Sequence, residues 1–192
     1  MNRNVILAGV GGQGLLALAA VIGEAARALD LDVKQAEVHG MAQRGGVVQS
    51  HLRYADRPLH SNLVRAGTAD LILALEPMEA LRYLPYLSPT GAVVSSTAPL
   101  ANVPDYPEAA DVLAELEKLP ACRLVDAEGL AQQAGALQAA NMAMLGAGSP
   151  FLDLPEETLI GAVRSFFAGK GDAVVETNVR AFRLGLAAVR TG

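Results

Sequence analysis

The stretch VILAGVGGQGLLALAAVI, residues 5–22, decides the fold class of this chain. Its first four residues form a short, wholly apolar run, which is typical of a central parallel strand covered on both faces. A glycine-rich turn follows, formed by Gly9, Gly11, Gly12, Gln13 and Gly14 around Val10. Apolar residues then recur at helical spacing, at Leu15, Leu18, Ala19, Ile22, Ala26 and Leu29. The stretch therefore predicts a strand, a tight turn and a helix that ends near residue 29.

Further strands and helices alternate along the chain. The pattern predicts strands over residues 32–38, 47–54, 71–75, 92–95 and 123–126, and helices over 76–84, 108–119, 136–147 and 173–189, with another helix beginning at Pro155. The apolar faces expected for the last two helices are Leu159, Ile160, Val163, Phe166 and Phe167, and then Val175, Val179, Phe182, Leu186 and Val189. We expect one domain over residues 1–192, an α/β fold with a Rossmann-like, three-layer open sheet, mostly parallel, and a C-terminal helical cap.

Composition excludes several classes of protein. The chain has 192 residues, 52% of them hydrophobic, and a formal net charge of −5, which argues against a nucleic-acid-binding surface. Cys122 is the single cysteine, so neither an internal disulfide nor a metal or iron–sulfur site built from several cysteines of this chain is expected. The glycines interrupt the apolar N-terminal stretch, and no segment has the length of a membrane span. We expect a soluble cytoplasmic protein.

The glycine turn satisfies the spacing G-x-G-x-x-G between a predicted strand and a predicted helix, the context of a dinucleotide-binding fingerprint. Glycines there permit a tight turn and leave amides at a helix N-terminus exposed to an anion. Glu37, near the end of the second strand, would then be the acid that binds a ribose. The alternatives are a phosphate or another chain at this helix start, or glycines that serve strand–helix packing alone.

Polar residues are concentrated in residues 33–54, VKQAEVHGMAQRGGVVQSHLRY, between two predicted strands. Loops carried on a rigid scaffold commonly hold binding and catalytic residues. The glycines beside Arg44 would let backbone amides and the guanidinium converge on a phosphate or a carboxylate. A salt bridge from Arg44 to Glu37 is the alternative. Catalytic candidates are Glu37, His39 and Arg44; candidates for contact with a ligand or a partner are Gly40, Met41, Gln43, Gly45 and Gly46.

The remaining polar candidates are interpreted as structural or, for His51 and His60, as structural or exposed. His51 and His60 have no neighbouring metal-ligand residues, so no metal site is expected. Asn141 lies among small apolar residues and is expected to cap a helix or bond a neighbouring backbone group. Cys122, at the start of a predicted strand, is expected in the core.

Four motifs together resemble one family. They are GVGGQG (residues 9–14), EVHGMAQRGG (37–46), NMAMLGA (141–147) and ETNVRAFRLG (176–185), so the resemblance covers nearly the whole chain. They are similar to the gamma-type subunits of 2-oxoacid:ferredoxin oxidoreductases, and among these to the beta subunits of indolepyruvate:ferredoxin oxidoreductases. The first motif alone is weakly specific, whereas its combination with the second is specific.

The resemblance implies a subunit of an enzyme that oxidatively decarboxylates a 2-oxoacid such as indolepyruvate, with coenzyme A and ferredoxin as co-substrates. Thiamine diphosphate, magnesium and iron–sulfur clusters are implied in a large partner subunit and none in this chain alone. The single cysteine agrees with this, as does the absence of a Gly-Asp-Gly motif, since Gly171-Asp172-Ala173 fails at its third position. The loop from Glu37 to Gly46 is implied to shape the substrate or coenzyme A cavity against that partner.

Two other functions are weighed against this one. The chain could be a stand-alone nicotinamide- or flavin-dependent oxidoreductase with a true Rossmann fingerprint, or a non-catalytic α/β binding protein. The isolated chain could also form a homodimer.

Overall fold

Six strands form one mixed sheet in the computed structural model, which describes residues 1–40, 46–101 and 105–190. The order of strands across the sheet is β2-β3-β1-β4-β5-β6. Their bounds are β1 (Asn2–Val10), β2 (Asp32–His39), β3 (Val47–Ala55), β4 (Ala69–Ala74), β5 (Leu87–Ser96) and β6 (Cys122–Val125). The predicted strands are therefore all present, and β5 begins five residues earlier than expected.

The sheet is mostly parallel, with one strand reversed. β1 pairs parallel with β4, β4 with β5, and β5 with β6, whereas β3 lies antiparallel between β1 and β2. The expected α/β sheet is confirmed, but the expectation that β1 is a parallel strand holds only on its β4 side. Only residues 40–46 connect β2 to β3, and this is too short for the crossover that a parallel pair needs. The two strands therefore form an antiparallel hairpin.

Seven α-helices complete the described part of the chain. They are α1 (Leu15–Arg27), α2 (Pro77–Arg82), α3 (Ala109–Glu117), α4 (Ala127–Ala134), α5 (Ala140–Gly148), α6 (Glu156–Phe167) and α7 (Asp172–Arg190). α1 and α4–α7 contribute to the core on one face of the sheet, and α2 and α3 to the core on the other. Along β1, Val5 and Leu7 face the first core while Ile6 and Ala8 face the second. The three-layer architecture is thus confirmed, with the C-terminal helices as part of one layer.

Three details of the helices differ from the sequence-based expectation. α1 ends at Arg27 because the chain turns at Asp30, whose φ is +58°, and Leu29 is 36% exposed instead of buried. Phe166 is 38% exposed, since the buried face of α6 centres on Leu159, Ile160, Val163 and Phe167. α4 was not predicted, because alanines form its buried face and alanine gives a weak periodic signal. None of the described helices is both long and apolar enough to cross a membrane.

Candidate functional site

The glycine turn lies at the carboxyl end of β1, where the chain enters α1. Gly12 has φ +104° and Gly14 has φ +86°, a region that residues with a Cβ rarely adopt. Gly14 is also the N-cap residue of α1. Glycine is therefore required at both positions by backbone conformation alone.

Two other contacts of the turn depend on the absence of a side chain. A Cβ on Gly9 would lie 2.7 Å from Leu15 Cδ1 and 2.8 Å from Gln13 Oε1. A Cβ on Gly14 would lie 2.5 Å from Nδ2 of Asn141, which donates a hydrogen bond to the carbonyl oxygen of Gly14 at 3.3 Å. The prediction that Asn141 bonds a neighbouring backbone group is confirmed, and the neighbour is the glycine turn itself.

Gln13 joins the ends of two neighbouring strands. Its Oε1 accepts a hydrogen bond from the Val10 amide at 2.8 Å, and its Nε2 donates to the carbonyl oxygen of Leu75 at 3.1 Å. The Leu75 amide donates in turn to the carbonyl oxygen of Ala8 at 2.8 Å. β1 and β4 are therefore connected by a side-chain amide at the point where both strands end.

The second motif occupies the β2–β3 hairpin. Glu37 is half-buried and His39 exposed; both lie on β2, opposite Ser50 and Val48 of β3. The Gly40 amide donates to the carbonyl oxygen of Val47 at 3.3 Å. Met41, Gln43, Arg44 and Gly45 lie outside the described residues, and with them the suggested salt bridge between Arg44 and Glu37.

The two motifs meet directly. The Gly11 amide donates a hydrogen bond to the carbonyl oxygen of Gly46 at 2.8 Å, so the glycine turn is bonded to the end of the hairpin loop. In a dinucleotide-binding site the amides of this turn face a pyrophosphate. In this structure one of these amides, that of Gly11, already donates its hydrogen bond to another residue of the same chain.

A cavity of about 400 Å³ lies between the two motifs. Its lining is Val10, Gly11, Gly12, Gly14, Leu15, Leu16, Glu37, His39, Gly40 and Val48. Four apolar side chains form much of the wall, and Leu16 is 60% exposed at its mouth. The N-terminus of α1 also opens into this cavity and carries partial positive charge. The structure thus brings Glu37, His39 and Gly40 to the same cavity as the glycine turn.

The order of the strands weighs against a dinucleotide fingerprint. In that fold the second strand lies beside the first, and its acidic residue reaches the ribose. Here β3 separates β2 from β1, so Glu37 lies on the edge strand of the sheet. Gln13, moreover, occupies the junction of β1 and β4.

The lining supports binding more readily than catalysis. No group of three histidine, cysteine, aspartate or glutamate residues within residues 1–40, 46–101 and 105–190 has the arrangement of a metal site. Glu37 and His39 are two residues apart on one strand, and the described residues that line the cavity with them include no serine, threonine or cysteine. The described part of the site can therefore hold an apolar or hydrogen-bonding group and present helix-start amides to it.

A second cavity, of about 270 Å³, lies on the other side of the glycine turn. It is lined by Gly12, Gln13, Gly14, Leu75, Ser96, Ala98, Ala127, Glu128, Leu137, Gln138, Ala140, Asn141 and Met144. Gly12 and Gly14 line both cavities, so the turn is the wall between them. Sequence reasoning missed this cavity because Ser96, Glu128 and Gln138 lie on elements far apart in the chain.

A buried carboxylate that follows Leu75 in the chain was also missed as a polar centre. Glu76 is 1% exposed, caps α2 through the Glu79 amide at 2.9 Å, and accepts hydrogen bonds from the Leu100 amide and the Tyr106 hydroxyl. Burial, followed by the bond to Glu76, raises the pKa of Tyr106. Glu76 thus holds the connection that follows β5 against α2. The sequence indicated only that residues 76 and 77 begin a helix.

The other polar candidates lie away from the site. His51 is buried, its Nδ1 accepts a hydrogen bond from the Val64 amide at 3.1 Å, and burial lowers its pKa. His60 is exposed. Cys122 is half-buried against the smaller core, and burial raises the pKa of its thiol. His51 therefore has a structural contact and His60 is exposed, as expected, whereas Cys122 packs against the edge of the smaller core and is not buried within it as expected.

Comparison with known proteins identifies the family. The model of the pyruvate ferredoxin/flavodoxin oxidoreductase family matches residues 4–188. Indolepyruvate oxidoreductase subunit IorB of Methanothermobacter thermautotrophicus is 38% identical over 197 residues, which cover 98% of this chain and 98% of that protein. The 2-oxoglutarate synthase subunit KorC of the same organism is 27% identical over 199 residues, which cover 100% of this chain and 97% of that one.

Solved structures show the same fold. The 2-oxoglutarate:ferredoxin oxidoreductase from Magnetococcus marinus, with 2-oxoglutarate, coenzyme A and succinyl-CoA bound, matches with a TM-score of 0.78 at 21% identity. That match covers 100% of this chain and 31% of that longer chain. The gamma subunit of a keto/oxoacid ferredoxin oxidoreductase from Geobacter sulfurreducens matches with a TM-score of 0.71 at 24% identity, covering 99% of each chain. The family match over residues 4–188 and the full-length relatives together show that this chain belongs to the pyruvate ferredoxin/flavodoxin oxidoreductase family.

Proposed function

We propose that this chain is the subunit without iron–sulfur clusters of a thiamine-dependent 2-oxoacid:ferredoxin oxidoreductase, and that its substrate is indolepyruvate or another arylpyruvate. The observation that carries the proposal is the similarity to relatives named as indolepyruvate oxidoreductase subunits; the hydrogen bond between Gly11 and Gly46, which joins the two motifs at one cavity, supports the location of the site. Relatives named as indolepyruvate oxidoreductase subunits, similar over nearly their full length, support the choice of substrate.

The overall reaction would convert a 2-oxoacid, coenzyme A and two oxidised ferredoxins into an acyl-coenzyme A, carbon dioxide, a proton and two reduced ferredoxins. Thiamine diphosphate and iron–sulfur clusters would supply the carbanion and electron chemistry from a large partner subunit. The residues of this chain do not fit these groups. Cys122 is its single cysteine, and Asp172 begins α7 immediately after Gly171, without the second glycine of a thiamine motif.

We assign this chain a role in binding and positioning. The cavity between the motifs would hold part of coenzyme A or of the 2-oxoacid, with its apolar wall against an apolar segment of that ligand. Arg44 would pair with a phosphate or carboxylate through two parallel hydrogen bonds. Exposed residues at the mouth of the cavity, including Leu16, would contact the large subunit. A cytoplasmic location belongs to the same proposal, because a ferredoxin would be the electron acceptor.

The test is reconstitution with a large subunit that carries thiamine diphosphate and iron–sulfur clusters. The two subunits would be expressed separately and together, and the reduction of ferredoxin would be followed with indolepyruvate, phenylpyruvate, pyruvate and 2-oxoglutarate. We expect coenzyme A-dependent reduction only by the complex, fastest with an arylpyruvate, and an isolated small subunit that is colourless. Stoichiometric iron or a flavin spectrum in the isolated chain would contradict the proposal, as would full activity of the large subunit alone.

A further inference from the structure

Gln13 occupies the place where open α/β sheets usually bind ligands. Such ligands lie outside the carboxyl ends of the strands, where helices on neighbouring strands leave toward opposite faces. In this fold that place is the junction of β1 and β4, since α1 packs on one face of the sheet and α2 on the other. The side-chain amide of Gln13 bonds both strand ends there, to the Val10 amide at 2.8 Å and the Leu75 carbonyl oxygen at 3.1 Å.

The surroundings of Gln13 fix it in this position. Gly9 provides the space that the Gln13 side chain occupies, because a Cβ on Gly9 would lie 2.8 Å from Gln13 Oε1. The Gln13 amide also donates to the carbonyl oxygen of Val10 at 3.1 Å, which closes the turn on itself. Both ends of the side-chain amide are therefore used, and the turn is attached to β4 as well as to β1.

The glycine turn is in turn hydrogen-bonded to the end of the loop between β2 and β3. Gly11, between Val10 and Gln13, donates its amide to the carbonyl oxygen of Gly46 at 2.8 Å. Gly46 is the last residue of the loop that contains Arg44. A displacement of the turn would therefore displace the end of that loop.

We propose that Gln13 is a positioning residue, which holds the glycine turn against β4 so that Gly11 keeps Gly46 in place beside the cavity between the two motifs. The inference rests on the function proposed above. Gln13 touches no ligand in this role; it acts through the turn and Gly46.

Two substitutions of Gln13 distinguish the effect of its hydrogen bonds from the effect of its side-chain volume. Gln13→Met keeps the approximate length of the side chain and removes both hydrogen bonds. Gln13→Glu keeps an acceptor for the Val10 amide but sets a carboxylate against the Leu75 carbonyl oxygen. Protonation of that carboxyl group would restore a donor, and its burial against a carbonyl raises its pKa. Gln132→Met and Gln132→Glu, at an exposed position of α4, are the matched controls.

The first measurement is steady-state kinetics of the reconstituted complex between about pH 5.5 and pH 8.5. We expect Gln13→Met to raise KM for coenzyme A about tenfold at every pH, as the loss of one to two hydrogen bonds would do, with a smaller effect on kcat. In Gln13→Glu the same rise should be present at high pH and shrink as the pH falls. A merely structural role would lower thermal stability in both variants, with a dependence on pH in Gln13→Glu, and would leave KM for coenzyme A unchanged in the folded complex.

The second measurement is amide hydrogen exchange at Gly11 in the isolated chain, which needs neither ligand nor partner. Exchange at Gly11 should accelerate about tenfold in Gln13→Met and stay unchanged in Gln132→Met. Unchanged exchange would overturn the inference whatever the kinetics. If exchange accelerates while KM is unchanged in Gln13→Met but raised in Arg44→Ala, the inference fails and the proposed function stands. If both variants leave KM unchanged, the function proposed for the loop fails.

Discussion

Gly185 of α7 lies so close to Ala143 of α5 that a Cβ added to Gly185 would overlap the Ala143 carbonyl oxygen. Gly146 of α5 stands in the same relationship to the carbonyl oxygen of Phe182 in α7. Because a glycine from each helix faces the backbone of the other, the two helices approach more closely than larger side chains would allow. Two of the sequence motifs, in α5 and α7, thus form one packing contact.

Gly185→Ala should therefore lower the free energy of unfolding by about 1–3 kcal/mol, because the overlap is with backbone and one helix has to move. Gly161→Ala is the matched control: Gly161 is exposed in α6, with nothing within 4 Å of an added Cβ. That variant should gain up to about 1 kcal/mol from helix propensity. Denaturant titration of both variants measures the difference. Equal stability of the two would show that the close contact does not exist in solution.

Substitutions at different glycines of the turn should lower the free energy of unfolding by different amounts. Gly12→Ala meets no neighbour and should cost only the strain of its positive φ, roughly 1–2 kcal/mol. Gly14→Ala adds an overlap with Asn141 to the same strain, so it should cost more. Thermal unfolding of the two variants tests the order. A less stable Gly12→Ala variant would contradict the contact between α5 and the turn.

The isolated chain should not bind NAD or NADP with micromolar affinity. Gln13 bonds both strand ends at the usual site of the cofactor, and the Gly11 amide is bonded to Gly46. Calorimetric titration with both nucleotides is the measurement. Micromolar binding that is lost in a Gly11→Val variant would favour the stand-alone dinucleotide-dependent enzyme instead.

Arg44→Ala should impair the reconstituted enzyme and leave this chain folded. Loss of one charge-assisted contact costs on the order of 2 kcal/mol, or tens-fold in the affected constant. Arg44→Lys should have a smaller effect, since it keeps the charge but not the paired geometry. Arg65→Ala, at an exposed position before β4, is the control. Kinetics in coenzyme A and in the 2-oxoacid, together with the affinity between the subunits, form the assay.

Each outcome of the Arg44 experiment has its own meaning. A higher KM for coenzyme A alone indicates a phosphate contact, and a higher KM for the 2-oxoacid indicates its carboxylate. Weaker association of the subunits with normal constants indicates an ion pair at the interface. Wild-type values throughout would exclude the loop as a functional site.

His51 should make the protein less stable in acid. Burial lowers its pKa from 6.5, so the unfolded chain binds more protons than the folded chain as the pH falls below that value. The free energy of unfolding should decrease there by at most about 1.4 kcal/mol per pH unit for one proton. His51→Gln should flatten this slope, and His60→Gln, at an exposed position, should keep it. An unchanged slope in His51→Gln would assign the effect to other groups.

The sequence predicted the site better where a motif was continuous than where it was assembled from separate segments. The glycine turn and the residues from Glu37 to Gly46 are each one stretch of chain, and both were recognised as candidates. The bond from Gly11 to Gly46 joins positions 35 residues apart along the chain, so no local pattern could reveal it. Glu76 is a second residue whose contacts no local sequence pattern could predict. Its Glu-Pro signal predicted a helix start, whereas its bond to Tyr106 depends on how the connection after β5 folds back.

The sequence by itself determined the class of fold, because apolar runs and helical spacing depend on the neighbours of each residue along the chain. It also determined that a glycine-rich turn joins the first strand to the first helix and that this chain has one cysteine. Only the tertiary structure decided that β3 enters between β1 and β2 and that Gln13 bonds Leu75. Strand order and such bonds depend on which distant segments come together when the sheet buries both of its faces. The free energy gained by burying both faces of the sheet comes from the whole chain, so no single stretch of sequence encodes it.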